Sequence, residues 1–354
     1  MQRTLPRWIA VLALLAALAT ASRAQTTTSY SLTDLGTLGG TFGLGAAVND
    51  AAQVVGESYL PGGSVWQRDE HAFCWANGVM HDLGTLGGTW SHANAIDTTG
   101  EIVGCAQIPV AGNVTHACRW DSATHQIEDL NNHLSTTDAA AYELLSAMGI
   151  NDARLVVGQM RVRSTGDTHP FMLDLTAQPA DFTDLGLISG TTGWAEGVNA
   201  TGQVVGKGGS PAFLYAGAFP LIDLTPLGYA RDINGGGGIV GSVPGGAAYR
   251  SPAGVITSLG TFGGSSSEAE AINDTGTVVG YAYDLKAGQL GFVWQVGGGA
   301  IRKLNDLTPN RGTLSIDLGR DISPAGLVAG KALGTSGKGK NAITYEHAVL
   351  LRPQ

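Results

Sequence analysis

Four charged residues stand at one recurring position of this chain: Glu196, Arg231, Glu270 and Arg320. Two carboxylates converging roughly 5–10 Å apart can hydrolyse a glycosidic bond, one as acid and the other as base or nucleophile. Glu196 and Glu270 are the carboxylates placed for that. Each is followed, at the next copy of the position, by an arginine, so the alternating charges can equally pair and tie neighbouring units together. A polar half-ring of this kind can also bind a small charged ligand. Phe42, Trp90 and Trp194 recur at a second position. An exposed ring there can stack on a sugar or a partner protein, or pack between units.

Other chemistry is thin. No HExxH, GxSxG or Walker A pattern occurs. Gly334-Thr-Ser336-Gly-Lys338 matches neither spacing, and the glycine run from Asn234 to Gly238 follows a predicted strand without opening a helix, so it is a turn. His71, His116, His169 and His347 share one repeat position, as do Asp34, Asp82, Asp129, Asp184 and Asp223. Copies of one position lie far apart around a ring, so these read as strand ties, and no metal or cofactor is implied. The three cysteines are Cys74, Cys105 and Cys118. Cys105 and Cys118 fall on adjacent predicted antiparallel strands and could form a disulfide, leaving Cys74 buried and free.

The elements that position these residues come from a module repeated seven times. Its corners are Val48-Asn49, Ile96-Asp97, Ile150-Asn151, Val198-Asn199, Ile233-Asn234, Ile272-Asn273 and Ile322-Ser323. Each leads through a tight turn into a strand closing on Gly56, Gly104, Gly158, Gly206, Gly241, Gly280 or Gly330, spaced 35 to 54 residues apart. Short strands at that period predict an all-β, seven-bladed β-propeller. Each blade has four strands, A to D, with an Asx-and-Gly hairpin joining A to B. Strand C reads as in His71-Ala-Phe-Cys-Trp75. Strand D and its exit read as in Asp82-Leu-Gly-Thr-Leu-Gly-Gly88. The chain opens on a strand D and ends on a strand C, so the N-terminal strand is expected to complete the last blade. By analogy with WD-repeat propellers, strand A, with its charged position, lines the axis. The long B–C (59–70, 107–115, 161–168, 281–290, 332–345) and D–A (131–145, 305–317) segments share one face, the expected binding face.

The motifs His-Ala-Phe-x-Trp, Asp-Leu-Gly-Thr-Leu-Gly-Gly and Ala-Ile-Asn-x-x-Gly-x-Val-Val-Gly resemble the bacterial extracellular HAF repeats over essentially all of the chain after residue 24. The copy near 227–260 is short and degenerate, and 131–145 replaces the Gly-Gly element. The resemblance implies export and a propeller-like repeat, and it carries no catalytic residues.

Residues 1–24 look like a signal peptide: Arg3 and Arg7, an apolar run from Ile9 to Ala19, and Ser22-Arg23-Ala24. Residues 25–354 then form the propeller. Removing the signal takes three arginines and no acid, moving the net charge from −9 to −12. Such a surface argues against nucleic acid and anionic membranes, and no second apolar run long enough to span a bilayer follows. Expected from these features is an exported, periplasmic or extracellular, monomeric and non-enzymatic binding protein, taking a protein, cell-wall component or glycan on its B–C/D–A face. The alternative is a polysaccharide-active enzyme, glycosidase or lyase, on a propeller scaffold. A purely structural repeat module is a third reading.

Overall fold

The computed structural model describes residues 28–63, 69–121, 123–177, 180–286, 288–337 and 342–354. The expected signal peptide lies outside the described residues, as do 64–68 and 338–341 of two B–C segments. Seven four-stranded antiparallel sheets make a seven-bladed β-propeller. Blade 1 consists of Gly43–Val48, Val54–Tyr59, Glu70–Ala76 and Val79–Asp82. In blade 7, Ser315–Ile322, Val328–Ser336 and Ile343–Pro353 are joined by the N-terminal strand Tyr30–Gly36, which pairs antiparallel with Ile343–Pro353.

One local device recurs in every blade. In all seven A–B pairs the register skips one residue of strand A: Ala46, Asn94, Met148, Glu196, Arg231, Glu270 or Arg320. These are β-bulges, which leave one residue out of the ladder and re-aim its side chain. The position that breaks the small-residue rule in sequence is therefore the bulged residue, turned toward the axis. The bulge also explains the repeated glycine of strand B. Strand A passes so close that a Cβ on Gly56 would overlap the Leu44 carbonyl oxygen, and one on Gly280 that of Glu268, with the same overlap in the other five blades.

The corner asparagines do two jobs. The Asn199 side-chain oxygen accepts from the Thr201 and Gln203 N–H groups, shaping its own turn. Its Nδ2 donates to the Asn234 carbonyl of the next blade, 3.0 Å away. Asn49, Asn151, Asn234 and Asn273 make the same step to the following corner. Asp97 lacks the donor. Its Oδ1 accepts from Thr99 and Glu101, but its Oδ2 is buried with no hydrogen-bond partner. Asp97→Asn is expected to complete this link toward Asn151 and to raise stability by about 1 kcal/mol, the usual net worth of a hydrogen bond. Thermal melts of the two proteins check it, and a lower melting temperature in the variant would refute the link.

The four histidines and four of the five aspartates prove to be ties within blades, while Asp223 accepts from Thr225 in its own turn. Nδ1 of His71, His116, His169 and His347 lies 2.8, 2.6, 2.9 and 2.9 Å from Asp82, Asp129, Asp184 and Asp34, binding the start of strand C to strand D. Among the aromatics ending strand C, Trp120 is fully buried and donates to the Leu83 carbonyl of the preceding blade, while Trp294 packs on Tyr249 of its neighbour. Tyr215 instead stacks on Phe219 within its own blade.

Two expectations need correction. All three cysteines are free and buried, so Cys105 and Cys118 form no disulfide. The register pairs Cys105 with Ala117 and Cys118 with Gly104. The two thiols therefore sit one residue apart and point to opposite faces of the sheet. The long segments are also more regular than expected. Segment 131–145 holds part of a 3-10 turn (Leu130–His133), a helix (Thr136–Ala141) and the start of strand A, while 161–168 is a five-residue turn between strand ends and the described part of 281–290 is mostly strand. A strand that gains partners along its whole length extends beyond what the turn residues suggest.

Candidate functional site at the channel mouth

The axial channel is lined by strand A residues alone and has a volume of about 180 Å³. Glu196, Arg231, Glu270 and Arg320 all face it. Arg231 lies 3.1 Å from Glu196, 2.9 Å from Glu268 and 3.8 Å from Glu270, and Arg320 pairs with Glu270. The four charges thus form an ion-pair chain across blades 4 to 7. Burial works against the Arg231 charge, but Glu196, Glu270 and Glu268 outweigh it and hold the guanidinium pKa above its usual value. Neither Glu196 nor Glu270 is left as a free acid–base pair.

Just below the bulges, Asp232 and Asp321 occupy the position that is Ala or Gly in the other blades. Asp232 accepts from the Ile272 N–H at 2.8 Å and Asp321 from the Val48 N–H at 2.8 Å, each bridging to the next blade. Burial pushes the Asp232 carboxyl up to about 7, and Asp321 adds to the rise. An acid whose folded pKa lies above its unfolded value holds more protons folded than unfolded between the two. Stability therefore falls as pH rises from about 4 to about 7 and levels off above. Asp232→Asn is expected to flatten that part of the melting-temperature profile, and an unchanged slope would refute the assignment.

The mouth on the B–C/D–A face carries a second cluster, which the repeat pattern does not single out. His92, on strand A of blade 2 (Ser91–Ile96), lies between two carboxylates of blade 1. Its Nδ1 is 3.2 Å from Glu57 and its Nε2 3.1 Å from Glu70. The side chains stay reachable, at 24 %, 20 % and 13 % exposed for His92, Glu57 and Glu70. Burial pushes the Glu57 carboxyl up and Glu70 adds to it, against the opposing charges of His92 and Arg320. Glu57 lies opposite Leu44, two residues before the bulged residue, where the other blades carry Cys105, Gln159, Lys207, Ser242, Tyr281 and Lys331. No common residue type marks that position in sequence.

The rim aromatics divide. Trp90 is buried, with its ring 4.9 Å from His92. Phe42 is half-buried against Tyr59, with the Lys331 ammonium 5.8 Å from its ring. Trp194 is half-buried, donates from Nε1 to Glu196 at 2.7 Å and stacks on Tyr229, with Lys207 over both rings. All three stand around the mouth, and each is engaged with its neighbours. Among the described residues no group of three or more His, Cys, Asp or Glu could hold a metal ion, and no helix is long and apolar enough to cross a membrane.

Fold and site together define a seven-bladed β-propeller with a charged axial mouth. No protein-family model matches the chain, and no curated protein does. Among solved structures it is similar to a gluconolactonase of Xanthomonas campestris, described as important in glucose secondary metabolic pathways. That likeness is at 13 % identity and a TM-score of 0.42, covering 92 % of this chain and 90 % of that one. That neighbour is an enzyme, so the likeness lends no support to the expectation of a non-enzymatic binding protein. The likeness is too loose to transfer a reaction, a substrate or any residue.

Proposed function

We propose that the chain is a glycan hydrolase whose active site is the channel mouth, with Glu57 as general acid and Glu70 as base or nucleophile. The observation that carries this reading is the Glu57–His92–Glu70 arrangement, two reachable carboxylates on either side of one imidazole. Environments that push one carboxyl upward beside another are how acid and base roles are divided. His92 positions both and is the natural relay for the proton between them. A lyase needs a cation to neutralise the substrate uronate. At this mouth Arg231, Arg320 and Lys331 are matched by carboxylates, and Lys207 of blade 4 lies over the Trp194 and Tyr229 rings; the trio itself sets two carboxylates against one imidazole, a balance that favours hydrolysis of a neutral glycan. The half-buried rim rings of Phe42 and Trp194 suit a saccharide.

In the same proposal the chain is an exported HAF-type repeat protein, periplasmic or extracellular, with residues 1–24 as its signal and the B–C/D–A face turned to substrate. Release of reducing ends from a panel of neutral oligosaccharides tests the activity. Turnover that survives intact in Glu57→Gln, or no turnover on any member of a broad panel, would overturn it.

A further inference from the structure

A broad cavity lies on the opposite face, where the A–B and C–D turns emerge. It is a depression of about 1230 Å³ around blade 6. Two oligoglycine turns wall it, 235–238 between strands A and B of blade 5 and 297–299 between strands C and D of blade 6. Some of these glycines have no backbone reason to be glycine. Gly236 and Gly299 do not adopt a positive φ. A Cβ on Gly299 would meet nothing within 4 Å, and one on Gly236 only the Asn234 side chain at 3.5 Å. Their effect is to keep side chains out of the depression and to leave backbone polar groups open to it.

Arg302, half-buried on strand D of blade 6 (Arg302–Lys303), lines the same space. Among the described residues its side chain makes no ion pair or hydrogen bond, whereas the arginines of the channel are all matched. It stands close enough to Tyr30 to oppose the upward push that burial gives that phenol. Asp274, whose Oδ1 accepts from Gly235 at 2.7 Å, and the edge of Trp294 complete the wall.

We infer that this depression is a second binding site, separate from the channel mouth, for a uronate residue. The sugar carboxylate pairs with Arg302, its hydroxyls meet Asp274 and the glycine backbone, and the open walls admit the ring. A half-buried guanidinium without a carboxylate is the group that makes such an anion welcome on a chain of net charge −9.

The test is titration of the full chain with D-glucuronate and, as neutral comparator, D-glucose, followed by calorimetry or ligand-observed NMR. Glucuronate should bind at least tenfold more tightly than glucose. Arg302→Met removes the charge and Gly299→Leu fills the space. Each should weaken glucuronate tenfold or more, with the melting temperature showing that the variants fold. Glu57→Gln should leave glucuronate binding unchanged, which separates this site from the proposed active site. Absence of glucuronate binding, equal binding of glucose, indifference to both Arg302→Met and Gly299→Leu, or loss in Glu57→Gln would each overturn the inference.

Discussion

Replacing Arg231 with methionine is expected to lower stability by about 3–5 kcal/mol, the cost of breaking a buried ion pair from one side. For a chain of this size the melting temperature should fall by roughly 4–7 °C. The size follows from what is left behind. Arg231 serves Glu196, Glu268 and Glu270 at once, and Glu270 is only 5 % exposed. Methionine fills much of the same volume, so the loss reads the charge and not a cavity. Arg320 still reaches Glu270, but Glu196 and Glu268 lose the cation that spans blades 4, 5 and 6. Glu196→Gln together with Glu268→Gln in the Arg231→Met background should recover part of the loss, because carboxylates no longer face one another unpaired. A melting temperature unchanged in Arg231→Met would show that the chain of charges does not hold the blades.

Glu57→Gln is expected to reduce turnover of a neutral glycan substrate by 10²- to 10⁴-fold, the range for losing a general acid. The amide keeps the shape of the side chain and its place opposite Leu44, so the fold should be unaffected. The pH profile sharpens the test. Glu57 acts while protonated, and burial with Glu70 beside it keeps the proton on to higher pH than usual. Activity in the native protein should therefore decline as pH rises through that raised pKa, and the residual activity of Glu57→Gln should lack this alkaline limb. Glu70→Gln should instead remove most turnover at every pH, since it takes away the base or nucleophile. A variant with the native pH profile would remove Glu57 from the acid role.

Much of this architecture is legible in the amino-acid sequence because it repeats. A module that returns seven times reports one local solution seven times over, so Val-Val-Gly, the corner Asn and the odd charged position each stand out against their copies. The same averaging hides what occurs once. Glu57, Glu70 and His92 come from a strand B, a strand C and the strand A of the next blade. Three different repeat positions in two blades cannot be aligned with one another in sequence, and only the close approach of neighbouring blades at the axis brings them within 3.2 Å. The disulfide expectation failed for a related reason. Loop length places Cys105 and Cys118 on adjacent strands, but a register one residue away from the required pairing turns the thiols to opposite faces.

By itself, then, the sequence determined the seven blades, the four-strand unit, the place of the N-terminal strand beside Ile343–Pro353 and the axial position of Glu196, Arg231, Glu270 and Arg320, because local patterns of period two and their turns carry that information. Only the tertiary structure decided that the axial charges are spent on one another, that a strand A bulge is what aims them, and that the reachable carboxylates are Glu57 and Glu70. Those outcomes depend on distances between blades, which backbone hydrogen bonds and side-chain packing set across dozens of intervening residues and which no local pattern records.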